Sequence, residues 1–155
     1  MMLKKSVGLM LSALVLSASV EAGTEANSMG TAAEASNHSV GAKVYQSVCM
    51  TCHQVDKPTE QGPPIFAVKD HVIKAFPERA AFVERVKNWV KDPKADTALM
   101  PGALTKFGLM PAQTQVSAEE LQAVAEFLYD TDLAQPDWYA EHYQAEHGKQ
   151  PDQKP

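Results

Sequence analysis

The sequence predicts an all-α fold, and three observations carry that expectation. Apolar residues recur at helical spacing in three stretches: Val40, Val44, Tyr45 and Val48; Phe82, Val83, Val86, Trp89 and Val90; and Leu121, Val124, Ala125 and Leu128. Ser117-Ala118-Glu119-Glu120 has the form of a capping box, with Ser117 at the N-cap and Glu120 three residues into the turn. No stretch of useful length alternates apolar and polar residues as a half-buried strand would.

The 155 residues amount to one domain plus flanking segments. Residues 1–22 read as a signal peptide. Lys4 and Lys5 precede an apolar or small run from Ser6 to Ser19, and Val20-Glu21-Ala22 is a small-x-small ending suited to signal peptidase. The run falls short of the roughly 20 residues that span a bilayer. Export to the periplasm is therefore expected, with cleavage after Ala22 and no stable membrane insertion of the remainder. Residues 23–38 are rich in Ala, Thr, Ser, Glu and Asn, lack an apolar period, and read as a flexible lead-in.

The domain itself is expected over residues 39–130. A first helix runs from Ser39 into the cysteine-containing stretch at 49–53. Gln54 to Phe66 reads as a loop, because Pro58, Gly62, Pro63 and Pro64 oppose helix through most of it. A second helix opens at Phe76-Pro77, turns Glu84, Arg85, Lys87 and Lys91 outward, and ends at Asp92-Pro93. Residues 93–116 read as mostly irregular and contain two Met-Pro pairs, Met100-Pro101 and Met110-Pro111. The capped helix then runs to Asp130. Residues 131–155 form a polar tail whose pattern allows a short helix at 136–147, bearing Trp138, Tyr139, His142 and Tyr143 and stopped by Gly148. Beyond it, Lys149 to Pro155 reads as disordered.

The formal net charge is −5, and removing the leader takes two lysines and one glutamate. An acidic chain is a poor partner for nucleic acid, whose phosphates call for a basic surface. Charge is uneven. Residues 69–94 hold seven Lys and Arg against four Asp and Glu, and residues 115–155 hold nine Asp and Glu against two Lys. Either stretch could dock a partner of opposite sign, but the interleaving of both signs favours an ordinary solvated surface.

Both cysteines lie in Cys49-Met50-Thr51-Cys52-His53. Two thiols separated by two residues can add to the two vinyl groups of a haem. The histidine that follows is then close enough to give the iron a nitrogen ligand. A redox disulfide would not need that histidine, and a zinc site would need two further ligands at matching spacing. One covalently attached haem c, through Cys49 and Cys52 with His53 as a metal ligand, is the expectation.

With these residues in view, the chain resembles the class I cytochromes c of bacteria over roughly residues 40–130. Tyr45 stands four residues before Cys49, where the family often has an aromatic. The attachment motif follows, then Gly62-Pro63, then a Met-Pro ahead of the last helix of the domain. The resemblance implies a helical bundle around one haem with His and Met axial ligands. It implies that the Pro63 carbonyl accepts a hydrogen bond from His53, and that the Trp89 indole reaches a haem propionate or simply packs in the core. It has no place for the lead-in or the tail. Phe66, Phe82, Phe107 and Phe127 read as pocket walls.

The candidates for the second axial ligand are Met29, Met50, Met100, Met110, His38, His71, His142 and His147. Met110 stands where the family has its Met loop. Met100, ten residues earlier, is the runner-up and otherwise a core or haem-edge contact. His71 is the most credible histidine, or else a surface residue in a charged stretch. A thioether would favour the ferrous state and fill the last position on the iron. The expectation is thus a one-electron carrier, not an enzyme, working between a donor and an acceptor protein in a respiratory or dehydrogenase chain. The alternatives are an electron-accepting subunit docked on one dehydrogenase through the aromatic tail, and an open-site haem enzyme or sensor.

Overall fold

A long first helix, α1 (Thr24–Val44), lies across the capped helix, α5 (Ala118–Asp130), and this crossing organises the body. The computed structural model describes residues 24–55, 59–133 and 135–148. The expected signal peptide and the end of the tail lie outside the described residues. Between α1 and α5 come α2 (Ile65–Ala75), α3 (Arg79–Lys91) and the short α4 (Pro101–Phe107), and α6 (Trp138–His147) follows. No strand occurs among the described residues, so the all-α expectation is met.

The α1–α5 crossing is close because position 41 is glycine. A Cβ there would run into the carbonyl oxygen of Ala123 and lie 2.6 Å from Cβ of Phe127. Around the crossing, Val44 and Tyr45 meet Val124, Ala125 and Leu128 of α5, and Phe82, Val83 and Val86 of α3 complete the core. Phe82 and Val124 are fully buried. The capping box forms as read: the Ser117 hydroxyl accepts from the Glu120 N–H at 3.2 Å, and the Glu120 carboxylate accepts from the Ser117 N–H at 2.9 Å.

The far end of α5 is a junction. Arg79, at the start of α3, grips Asp130 with two bonds of 3.1 and 2.7 Å. Buried Lys69 of α2 donates to the carbonyls of Tyr129 at 2.8 Å and Thr131 at 2.6 Å. An ammonium here satisfies carbonyls that the helix end leaves open, and it sits at the negative end of the helix dipole.

Three expectations need correction. The lead-in at 23–38, expected to be flexible, is helical from Thr24, since its alanines and glutamates favour helix even without an apolar stripe. Its end is docked by His38, whose ring meets Phe127 edge-on at 5.0 Å. Helix α2 occupies a stretch where none was expected. It begins directly after Pro64 and is covered on two sides, by the main core at Ile65 and Val72 and by α6 at Phe66 and Ala67. Helix α4 lies within the stretch expected to be mostly irregular, with Pro101 at its first position and Gly108 ending it at φ 80°.

The tail is not merely polar. Helix α6 falls within the expected range and is closed by Gly148 at φ 67°. Its Tyr139 and Tyr143 are buried against Phe66 and Ala67 of α2 in a second apolar cluster. Phe66 meets the Tyr139 ring at 4.5 Å. The cations of residues 69–94 are also largely engaged within the chain: Lys74 with Asp70, Arg79 with Asp130 and Glu126, Lys87 with Glu84, and Lys94 with Asp92.

Gly41→Ala forces the crossing apart and is expected to destabilise the fold by about 2 kcal/mol, the usual effect of overpacking a tight contact. Guanidinium unfolding of the purified protein measures it. An unchanged midpoint would mean that α1 and α5 can separate freely.

Candidate functional site

The turn that carries the two cysteines leaves α1 through a widened, π-type turn at Tyr45–Cys49, closed by a 2.8 Å bond from the Met50 N–H to the Tyr45 carbonyl. Such turns are frequent at functional sites. The Cys49 carbonyl then accepts from the N–H groups of Cys52 at 3.1 Å and His53 at 2.8 Å, folding the motif back on itself. The Tyr45 hydroxyl donates to the His53 carbonyl at 2.8 Å, so the aromatic four residues before Cys49 pins the far end of the motif.

His53 is the fixed point. Its Nδ1 lies 2.7 Å from the Pro63 carbonyl oxygen. A carbonyl can only accept, so Nδ1 carries the hydrogen and the Nε2 lone pair is left available. Burial lowers the pKa of His53, partly offset by the bond to Pro63, which favours the neutral ring that a metal ligand requires. Gly62 lets the loop come this close: a Cβ there would stand 3.1 Å from the Cys52 carbonyl oxygen and 3.3 Å from Cε1 of His53. Thr59 ties the loop, its hydroxyl donating to the Cys52 carbonyl at 2.9 Å and accepting from the Gly62 N–H at 2.9 Å.

These groups border a cavity of about 210 Å³ enclosed by α2, α3, α4 and the segment before α5. Seven of the residues singled out from sequence line it: Cys49, Cys52, His53, Pro63, Trp89, Met100 and Met110. Phe82 and Phe107 line it as expected, but Phe66 and Phe127 do not. Phe66 faces α6, and Phe127 sits between His38 and Tyr45. His71, weighed as a surface residue, also lines the cavity, with Nδ1 2.8 Å from the carbonyl of Ala67 in its own helix. His142, on α6, borders a second cleft beside α4 instead.

The two methionines differ in setting. Met100 caps the start of α4 and packs against the Phe66, Tyr139 and Tyr143 cluster. Met110 lies in an irregular segment between Gly108 and Ser117. That segment is tied to α3 by a 2.9 Å bond from the Gln113 N–H to the Val90 carbonyl, and the Gln113 side chain donates to the Pro111 carbonyl at 2.8 Å.

Sequence reading placed Arg85 on the outer face of its helix and left Lys69 without a role. Both line the cavity. The spacing of Arg85 four residues before Trp89 was the available signal, since it puts both on one face of α3.

Cys49 is partly buried, and that desolvation pushes its thiol up to about 11. A reactive redox pair needs a thiol that ionises easily, so burial opposes that role. The donor set suits a haem: two thiols at one edge, a neutral imidazole with Nε2 available, apolar walls, and a buried Arg85 Nε that has no hydrogen-bond partner in the protein.

Comparison with known proteins agrees. The family described as cytochrome C oxidase, cbb3-type, subunit III matches residues 36–128. An uncharacterized protein of Aquifex aeolicus (strain VF5) is 31% identical over 108 residues, covering 57% of this chain and 71% of the relative. No solved structure matches. Together with the helical fold and the His53 cavity, the matched span places the chain in this cytochrome c family, as a haem-based electron carrier.

Proposed function

We propose that the protein is an exported one-electron carrier of the periplasm, with one haem held covalently by Cys49 and Cys52 and coordinated by His53 and Met110. The observation that carries this reading is the His53–Pro63 bond of 2.7 Å beside the two thiols, because it fixes both the tautomer and the direction of the imidazole. A haem held by imidazole and thioether exchanges one electron between its ferric and ferrous states with both ligands in place. The chain's part is to hold those ligands, exclude water and fix the edge at which electrons enter and leave.

Met110 is favoured over Met100 because of where each is held. Met100 is engaged by the α6 cluster. Met110 sits in a segment fastened to α3 at Gln113, with Pro111 limiting the backbone next to it. A thioether in that position supports electron transfer over catalysis, since it leaves no place for a bound substrate. The reading as a subunit docked through the aromatic tail is weakened, because Tyr139 and Tyr143 are buried within the chain. The donor and acceptor are redox proteins. No described helix is long and apolar enough to cross a membrane, and Lys4, Lys5 and the Ser6–Ser19 run support an export leader.

Haem should stay with the polypeptide through acid–acetone extraction, and Cys52→Ala should cripple its attachment. Mass spectrometry showing unmodified Cys49 and Cys52 in the coloured protein would refute the covalent link. N-terminal sequencing of the exported protein should begin at Gly23, whereas a start at Met1 would support a retained anchor.

Met110→Ala should remove the near-infrared band of Met-ligated ferric haem, lower the reduction potential and admit carbon monoxide to the ferrous iron. Met100→Ala should keep the band while loosening the fold. The reverse pattern would exchange the two roles. A wild-type protein that lacks the band and binds carbon monoxide readily would be an open-site enzyme or sensor.

A further inference from the structure

We propose, on the reading above in which Met110 is the axial ligand, that helix α6 makes that choice: Tyr139 and Tyr143 keep Met100 in an apolar cluster and so withhold it from the haem.

The cavity offers the same donor twice. Met100 and Met110 both line it, and each is followed by proline. A thioether is a thioether to the iron, so coordination chemistry gives no preference between them. Backbone anchoring does not separate them either. The Met100 carbonyl accepts from the Leu104 N–H at 3.0 Å as α4 begins, and the Met110 segment is fastened to α3 at Gln113. The difference lies in what each side chain touches.

Met100 packs against the cluster of Phe66, Ala67, Tyr139 and Tyr143, and it borders the cleft beside α6 as well as the main cavity. Among the described residues, Met110 neither joins that cluster nor borders that cleft. Holding a methionine side chain in apolar surroundings shifts an equilibrium by about tenfold or more. The bias acts on Met100 alone, so it decides the competition in favour of Met110.

The cluster exists only while α6 is docked. Tyr139 and Tyr143 are buried, and the Tyr139 ring meets Phe66 at 4.5 Å and Tyr143 at 5.6 Å. At ten residues, and with no side-chain cap at Asp137, α6 is too short to hold its helix by itself in water. Contact with α2 therefore keeps it folded, and the two tyrosines supply that contact. Neither lines the main cavity. They are positioning residues that act through Met100.

Full-length holoprotein is compared as wild type, Met110→Ala, Met110→Ala with Tyr139→Ala and Tyr143→Ala, and that triple variant with Met100→Leu added. The readout is the near-infrared band of thioether-ligated ferric haem, which a histidine such as His71 would not reproduce. Met110→Ala should lack the band. Releasing α6 should bring it back, and Met100→Leu should remove it again. A purely structural role for the tyrosines would weaken the protein without restoring a band. No band in the triple variant would overturn the proposal. So would a band that persists in Met110→Ala with α6 intact.

Should the Met110→Ala chains fail to load haem, Tyr139→Ala with Tyr143→Ala alone decides. Proton NMR of its ferrous form should show a second or displaced methyl resonance for the ligating methionine, returned to the wild-type pattern by Met100→Leu. A pattern that Met100→Leu leaves unmoved would overturn the role of α6. Loss of the band from Met100→Leu by itself, with α6 intact, would instead overturn the Met110 reading, and this inference with it.

Discussion

A single hydrogen bond, from His53 Nδ1 to the carbonyl of Pro63, sets the requirements for everything around the cavity. It needs a loop that returns within ten residues, and the chain supplies one with Gly62 where a side chain would crowd the ring and with Thr59 tying the loop to Cys52. It needs the far side of the loop to be rigid, and α2 begins directly after Pro64. It needs the motif itself to be still, and Tyr45 holds the His53 carbonyl from α1. The packing of α1 on α5 is what keeps Tyr45 in place. One directed imidazole therefore draws on most of the fold.

The parts legible in sequence were those written in short-range chemistry. The cysteine pair with its histidine, the Gly62-Pro63 return and the Ser117–Glu120 box each act over a few residues, so their spacing alone carries the information. Helices α3 and α5 were legible because each turns one continuous apolar stripe to the main core. Helix α2 was not. Ile65, Val68 and Val72 recur at helical spacing and face the main core, but the stripe opens directly on the proline-rich loop and is widened by Phe66 and Ala67, which face α6. The same tertiary arrangement hid the true place of Phe66. The start of α1 was missed for the opposite reason, since intrinsic propensity forms a helix there without any stripe to announce it.

The cavity lining shows a similar divide. Met100 and Met110 were both visible as Met-Pro pairs, but only the packing of Met100 against Tyr139 and Tyr143 separates their settings. Arg85 reads as an outward charge from helix periodicity, yet its long side chain bends along α3 and lies between two aromatic rings. Periodicity describes where a Cβ points. It says little about where a guanidinium several bonds further out comes to rest.

The crossing of α1 with α5 also imposes an order of events. Gly41 and Ala123 touch across more than half the chain's length, and such distant pairings close late because a long loop must first be gathered in. A polypeptide that emerges from a ribosome or a translocation pore N-terminus first presents residues 49–53 well before residues 118–130 exist outside it. During that interval the face of α1 around Gly41 and Tyr45 has no partner to pack against. Arrival of α5 buries Val44 and Tyr45, and through the Tyr45 hydroxyl it steadies the carbonyl of His53, so the site reaches its final rigidity only when a distant part of the chain has come home.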